Sequence, residues 1–185
     1  MRIELSGPAD FKSMPWANGR GTTIELLRQD KDGAMAWRLS AADVVEDGDF
    51  SSLPGIDRTL ILLEGEGFEL DFGGEGRAGP LQPFEPVAFS GDWKTRAVNV
   101  RGRSQDFNVM ARRGVVAADV CVVQGPATGT VTSDLAVFVA DGMFTLKAGG
   151  DVHLLRKGQL LHAQGQGSYD LRGEGKAIVV GVRAA

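Results

Sequence analysis

Short apolar segments recur along the chain and are separated by glycine-rich turns. None of them keeps the three- and four-residue apolar spacing of a sustained amphipathic helix. Many short strands with turn signals at intervals of about ten residues are typical of a β-sandwich or barrel, so the pattern predicts an all-β protein. Helix is expected only near Pro8–Met14 and as a 3₁₀ turn at Phe50–Leu53. The predicted strand segments are WRLSAADV, TLILLEGEGFELDF, PFEPVAFSG, DFNVMARR, LAVFVADGMFTL, VHLLRKGQLLHAQG and AIVVGV.

Two stretches of the chain resemble each other at a nearly constant offset. Residues 59–70 and 135–146 each contain an apolar segment, an acidic residue followed by glycine, and a second apolar segment, which predicts a hairpin bent at that turn. Leu81–Gly91 and Leu155–Gly165 then share a leucine, a turn, an apolar triplet and a closing glycine. Two landmarks in the same order favour a duplicated β-unit over chance similarity between hairpins.

Composition and charge exclude several classes of partner. The chain has 185 residues and a formal charge of −4, with 20 Lys and Arg against 24 Asp and Glu and no basic block, so nucleic-acid binding is not expected. The N-terminus lacks the charged-then-apolar order of a signal peptide, and no apolar run has the length of a membrane span, so no membrane partner is expected. The lone Cys121 precludes a disulfide within the chain and, in the apolar run VCVV, is predicted to be buried in a strand. A cytoplasmic location fits this pattern best.

The segment PWANGRGTT, residues 15–23, raises the possibility of a phosphate loop. Such a loop needs a lysine beside a hydroxyl at its end and a helix whose N-terminus faces the anion. Neither feature is present, and the following TTIELL alternates as a strand does. The loop therefore leads into a sheet, and its polar groups matter for function only if that sheet surrounds a pocket.

Metal and nucleophile chemistry have little support in the sequence. The chain has only His153 and His162, without a His-x-His pair, so no metal is expected and both rings are predicted to lie at the surface or at strand edges. No nucleophile-elbow motif accompanies them, which disfavours a serine triad. Paired-carboxylate hydrolysis stays open because acidic residues, Glu25 and Asp106 among them, could converge in the fold, although each is more commonly solvated.

Polar residues inside two apolar strands are more informative. In WRLS, strand alternation puts Trp37 and Leu39 on one face and Arg38 and Ser40 on the other. In DFNVMARR, the same alternation separates Phe107 and Val109 from Asn108, Met110 and Arg112. If the polar faces line the interior of a barrel, they form a pocket whose arginines suit a carboxylate. If they lie on the outside of a half-covered sheet, they face water, and the two interpretations are about equally supported.

The motifs MPWANGRGTT, WRLSAADV, EDGDFSSLPGIDRTLILLEGEG, PVAFSGD and DFNVMARRG, in this order, resemble the signature blocks of the HutD/Ves family of bacterial proteins. The resemblance implies a bicupin built from two double-stranded β-helix barrels. It places an N-terminal cupin unit with the pocket at residues 1–114 and a C-terminal unit at 115–185 of one compact body, with the first strands able to exchange between units. Trp16 would then close the edge of the pocket mouth, and Asn18 would offer its amide to the pocket.

The family's association with histidine utilisation implies a sensing or modulating role more than an enzyme. The expected ligand is a small anionic metabolite, an acidic intermediate of histidine breakdown such as formylglutamate, bound by a monomer or homodimer without a cofactor. Two alternatives are a metal-independent isomerase or hydrolase with a carboxylate base, and an interaction protein with a vestigial pocket. Arg38 is predicted to be the essential residue, met either by a ligand carboxylate or by Glu25. The expected ligand-binding residues are Trp16, Asn18, Glu25, Arg38, Ser40, Arg58, Asn108 and Arg112, with Glu25 or Asp106 as the base of the enzyme alternative.

Overall fold

The structure, a computed structural model, describes residues 1–16 and 21–185. These residues are almost entirely strands and turns, which confirms the all-β prediction. The chain divides into two compact units. One is Lys12–Val115, and the other combines Met1–Phe11 with Val116–Ala185.

The Lys12–Val115 unit contains two sheets. A six-stranded sheet has the order β2-β3-β4-β11-β6-β9, and a four-stranded sheet has the order β5-β10-β7-β8. A 3₁₀ turn at Gly73–Glu75 separates β7 from β8. The strands are β2 (Lys12–Pro15), β3 (Thr22–Lys31), β4 (Ala34–Val44), β5 (Gly48–Asp49), β6 (Ile56–Glu64), β7 (Glu69–Asp71), β8 (Arg77–Ala78), β9 (Pro86–Ser90), β10 (Arg96–Val98) and β11 (Ser104–Arg112).

An apolar core in this unit joins residues of both sheets. Leu60 and Leu62 alternate along β6 and pack with Phe68 and Leu70 from the region of β7 and with Phe89 of β9. Period-two alternation explains why Leu60 and Leu62 share this face. Burying large apolar side chains of this kind stabilises the unit by roughly 1.5–3 kcal/mol each.

The second unit contains a seven-stranded sheet with the order β1-β16-β14-β17-β12, to which β13 adds through β17 and β15 through β14. Its first strand comes from the N-terminus of the chain, where Arg2–Ser6 pairs antiparallel with β16. Its core is apolar and mostly aliphatic, with Leu135, Val137 and Val139 beside the buried ring of Phe144. The strands are β1 (Arg2–Ser6), β12 (Val116–Val123), β13 (Ala127–Val131), β14 (Asp134–Ala148), β15 (Asp151–Arg156), β16 (Leu160–Gln164) and β17 (Gly167–Ala184).

The two predicted hairpins are not present. Residues 135–146 lie within the single strand β14, whose pairing with β17 shifts between Val139 and Asp141. Gly142 allows this irregularity, since its φ is +77° and an added Cβ would lie 2.1 Å from the Glu174 carbonyl oxygen. In the other stretch, β6 and β7 belong to different sheets. The acidic-glycine signal therefore marks a bulge in one stretch and a change of sheet in the other.

The two expected helical stretches are also absent. Residues 8–10 form a turn and β2 begins at Lys12, because Lys12–Pro15 pairs with β3. The Phe50 and Leu53 amides donate to the carbonyls of Thr95 and Gly91 instead of to local partners, so no 3₁₀ turn forms there. Within the described residues, no helix has the length and apolar character required to cross a membrane.

Candidate functional site

A cavity of about 690 Å³ lies in the Lys12–Val115 unit. Its walls come from four neighbouring strands of the six-stranded sheet, β3, β4, β11 and β6. Trp16, the segment after β4, and Arg96 and Ala97 of β10 complete the lining. The polar or charged side chains of β4, β6 and β11 that line it are Arg38, Ser40, Arg58, Asp106 and Asn108.

Strand register explains why these side chains meet. Met110 of β11 lies opposite Arg38 of β4 on one side and opposite Arg58 of β6 on the other. Ser40 lies opposite Asn108 in the same β4–β11 pairing. Directly opposed residues of antiparallel strands share a face of the sheet, so both guanidinium groups belong to one side of it.

Arg58 is nearly buried, with 5% of the residue exposed. Its guanidinium carbon lies 5.2 Å from the centre of the Phe50 ring and 4.9 Å from that of Phe89, within cation–π range. Its Nη2 donates to Asn108 Oδ1 at 2.7 Å, while its buried Nε has no hydrogen-bond partner among the described residues. Burial lowers the pKa of Arg58 to about 10, against the attraction of Asp106, so the group remains protonated at neutral pH.

Asp106 is fully buried at the other end of the same hydrogen-bonded chain. Its Oδ1 accepts a hydrogen bond from Asn108 Nδ2 at 2.5 Å, while Oδ2 has no partner within the described part of the chain. Burial raises the pKa of Asp106 to about 7, and the charge of Arg58 and the Asn108 hydrogen bond oppose that rise only in part. The Asn108 amide is oriented by its two neighbours, because a guanidinium can only donate and its partner atom must be the amide oxygen.

Arg38 is paired on one side only. Its Nε lies 2.8 Å from Glu25 Oε2, and each side chain is 17% exposed. The contact is close enough for an ion pair, but its angle departs from that of a hydrogen bond, so Nε counts as ion-paired without a hydrogen bond. The buried Nη2 of Arg38 has no hydrogen-bond partner among residues 1–16 and 21–185. A charged donor in the cavity wall is therefore available to a ligand.

Trp16 lines the cavity and is held by two contacts. Its indole Nε1 donates to Thr23 Oγ1 at 2.8 Å. A Cβ added to Gly21 would lie 2.8 Å from the Trp16 ring, so the glycine is needed for this close approach. In the described part of PWANGRGTT, the last glycine and the second threonine thus serve to position the tryptophan. Asn18 lies outside the described residues.

The structure brings together five of the predicted residues, Trp16, Arg38, Ser40, Arg58 and Asn108, as parts of one cavity lining. Glu25 acts through Arg38 and does not itself line the cavity. Arg112 also lies outside the lining, and its Nη2 donates to the Lys31 carbonyl at 2.9 Å. Alternation along β11 groups Arg112 with Asn108 and Met110, but Arg112 is the last residue of the strand and lies beyond the cavity. We therefore leave Arg112 out of the site.

Sequence reasoning missed several residues that shape the site. Phe50 lines the cavity and, together with Phe89 behind it, encloses Arg58. Both rings lie within the motifs EDGDFSSLPGIDRTLILLEGEG and PVAFSGD, but strand alternation gave no reason to assign them to the site. The acidic segment after β4 also lines the cavity, where the Asp47 carboxylate accepts a hydrogen bond from the Val100 amide at 2.9 Å. The run EDGD directly after a strand with an inward arginine is a signal that could have indicated this acidic mouth.

The second unit differs from expectation at two residues. His162 is buried, not at the surface or at a strand edge, because β16 lies between β1 and β14. Its Nε2 lies 2.8 Å from Asp134 Oδ1. Cys121 is exposed, not buried, although it lies in β12 as predicted. No group of three or more His, Cys, Asp or Glu side chains that could hold a metal occurs in the described ranges.

The fold of this all-β chain is cupin-like, as its similarity to a solved cupin protein shows. The solved cupin 2 conserved barrel domain protein of Leptotrichia buccalis is similar at a TM-score of 0.58 and 10% identity, covering 93% of this chain and 96% of that one. This likeness concerns the fold alone.

The family follows from closer matches. The HutD family model matches residues 8–180, so the chain belongs to the HutD family, which confirms the resemblance inferred from the motifs. Protein Ves of Cronobacter sakazakii is 35% identical over 141 residues, which is 74% of this chain and 77% of the relative. The solved HutD of Pseudomonas fluorescens SBW25, in a formate condition, has a TM-score of 0.87 at 28% identity and covers both chains fully (100%).

A further relative is described by the gene region in which it is encoded. It is an uncharacterized 21.2 kDa protein in the hutC 3′ region of Pseudomonas putida. It is 37% identical over 111 residues, and the match spans 59% of this chain and 58% of the relative, less than two thirds of either.

Proposed function

We propose that the cavity binds a small carboxylate and that the protein senses or modulates histidine utilisation through this ligand, an acidic metabolite such as formylglutamate. One observation carries the proposal: Arg38 and Arg58 line the same cavity, and each has a buried guanidinium nitrogen without a hydrogen-bond partner among the described residues. Buried donors of this kind are costly unless a partner is supplied. A carboxylate supplies both the charge and the acceptors.

The choice of a carboxylate follows from guanidinium chemistry. A planar guanidinium offers parallel donors that match the two oxygens of a carboxylate, and such charge-assisted hydrogen bonds are stronger than neutral ones. Arg38 and Arg58 also act on each other, since the charge of Arg38 is one of the influences that lower the pKa of Arg58. An anion between them relieves this repulsion. Ser40 and Trp16 add a neutral polar group and an aromatic wall to the same cavity.

The biological context is taken from the family and its relatives. Membership of the HutD family and the similarity to a protein in a hutC 3′ region support a role connected with histidine utilisation. A cytoplasmic protein that works as a monomer or homodimer remains our expectation for its setting.

Isothermal titration of N-formyl-L-glutamate into the protein tests the proposal. We expect the wild type to bind it. For Arg38→Lys we expect a loss of about 1.5–3 kcal/mol, roughly 10- to 150-fold in affinity, because lysine keeps the charge but lacks the planar guanidinium with its parallel donors. Arg112→Lys is the matched control, since Arg112 lies on β11 but outside the cavity lining, and it should bind as the wild type does. Equal affinity in a folded Arg38→Lys variant would place the ligand elsewhere.

A metal-independent enzyme, an isomerase or hydrolase, is the second candidate, and Asp106 is the observation that favours it. A buried carboxyl with its pKa raised to about 7 suits proton transfer near neutral pH. Glu25 suits this role less well because it is ion-paired with Arg38. Proton NMR of N-formyl-L-glutamate incubated with the protein would show free formate if the formyl amide is hydrolysed. An unchanged spectrum over many hours, with binding intact, would rule out this hydrolysis.

A further inference from the structure

Asp106 has one acceptor atom that the fold leaves unused. The residue is 0% exposed and lines the cavity, and its Oδ2 has no hydrogen-bond partner among the described residues. Buried carboxylate oxygens in folded proteins are almost always hydrogen-bonded, because an unpaired one loses its hydration without compensation. The missing partner is therefore expected from whatever occupies the cavity.

The hydrogen-bonded chain around Asp106 determines which oxygen is available. Arg58 holds the oxygen of the Asn108 amide, so the amide nitrogen points to Asp106 and occupies its Oδ1. Oδ2 is consequently the open position. Asp106 and Asn108 lie two residues apart on one face of β11, a separation of roughly 7 Å along the strand. A ligand held at the arginines and extending along β11 reaches Asp106.

The charges around Asp106 favour a donor over a second carboxylate. Arg58 is the cation whose charge acts on Asp106, and Asp43, on the neighbouring strand β4, adds negative charge. Arg38 lies farther along the sheet and is paired with Glu25. Asp43 is itself occupied by Arg103 and Gln105. A second ligand carboxylate beside Asp106 would meet like charge, whereas an N–H group would find an acceptor.

We propose that Asp106 determines the specificity of the cavity: its Oδ2 accepts a hydrogen bond from an amide or ammonium N–H of the ligand. The ligand class is then carboxylic acids that carry nitrogen, such as amino acids and their N-acyl derivatives, in preference to simple dicarboxylates. This inference rests on the carboxylate site proposed above and adds a second point of recognition to it.

Three probes of equal carbon backbone test the inference by calorimetry. They are N-formyl-L-glutamate, its ester analogue (S)-2-formyloxyglutarate, in which oxygen replaces N–H, and unsubstituted glutarate. We expect the wild type to bind the amide at least about 10-fold more tightly than the ester, the range expected for one hydrogen bond to a charged group. In Asp106→Asn, the side-chain oxygen keeps the Asn108 hydrogen bond and an NH₂ takes the open position, so the amide preference should fall below about twofold or reverse. Arg38→Lys is the control, which should weaken all three probes by a similar factor and keep the ratio.

The outcomes separate this inference from the site on which it rests. Equal wild-type affinity for amide and ester overturns the role of Asp106 and leaves the carboxylate site in place. A folded Asp106→Asn variant that keeps the wild-type ratio of amide to ester affinity would also overturn the role of Asp106 and leave the carboxylate site in place. Absence of binding for all three probes overturns both proposals. If Asp106→Asn does not fold, the wild-type ratio decides alone.

Discussion

The interiors of the two units differ in polarity, although in both units inward-facing and outward-facing side chains alternate along the strands. On one face of β6, Arg58 is followed by Leu60 and Leu62, whereas the core face of β14 carries Leu135, Val137 and Val139. Of the seven buried polar or charged residues in the described chain, six lie in the Lys12–Val115 unit and only His162 lies in the other.

This contrast shows what a polar cavity requires of a small β-unit. An aliphatic face contributes hydrophobic stabilisation without further conditions. A buried arginine contributes only if its partners are in place, and here Asn108, two aromatic rings and the charge of Asp106 supply them. The alternation of the two strands is the same, so the difference lies in which side chains occupy the inward positions.

The largest expected effect comes from replacing a buried charged residue of the Lys12–Val115 unit by an apolar one. Arg58→Leu removes the cation whose charge acts on Asp106, and at pH 8 we expect a loss of about 3–5 kcal/mol in the free energy of unfolding, because a buried carboxylate is left uncompensated. Urea denaturation measures it. The double variant Arg58→Leu/Asp106→Asn should recover most of the loss. Arg112→Leu, at the partly exposed end of β11, loses only the hydrogen bond to the Lys31 carbonyl and should change stability by no more than about 1.5 kcal/mol. A loss in Arg58→Leu no larger than in Arg112→Leu would contradict the view that the charge of Arg58 compensates Asp106.

A smaller effect is expected from pH. The pKa of folded Asp106 is raised to about 7 from an ordinary value near 4, so its stabilising contribution is fully present below about pH 4 and is lost as the pH rises through 7. Relative to Asp106→Asn, the wild type should therefore lose up to about 4 kcal/mol of unfolding free energy between pH 4 and pH 8. Unfolding curves for both proteins across this range provide the measurement. A difference that stays constant with pH would show that Asp106 does not titrate in this window.

Truncating a core residue of the second unit tests whether stability and ligand binding are separate between the units. Leu146 is fully buried in the core of the second unit, and Leu146→Ala should cost about 3 kcal/mol through lost burial and the cavity left behind. The affinity of the folded variant for N-formyl-L-glutamate should equal that of the wild type, because Leu146 is not in the cavity lining. Thermal unfolding and calorimetry measure the two quantities. A change in affinity as large as that of Arg38→Lys would show that the ligand site is not confined to the Lys12–Val115 unit.

Local sequence determined the fold class and the polar face of the site. The period-two alternation in WRLS and DFNVMARR separates Trp37 and Leu39 from Arg38 and Ser40, and Phe107 from Asn108, because successive side chains of a strand point to opposite faces. Successive motifs such as LPGIDRTLILLEGEG are specific enough to indicate the family from the order of the amino acids alone.

Tertiary structure alone decided which polar side chains are partnered and which strands belong together. The Glu25–Arg38 ion pair, the chain from Arg58 through Asn108 to Asp106, and the exclusion of Arg112 depend on the pairing and register of strands far apart in sequence. The bulge that makes β14 one strand depends on the close approach of β17 at Gly142. The raised pKa of Asp106 depends on burial, which no local pattern encodes, because the number of atoms that surround a side chain is a property of the whole packed unit.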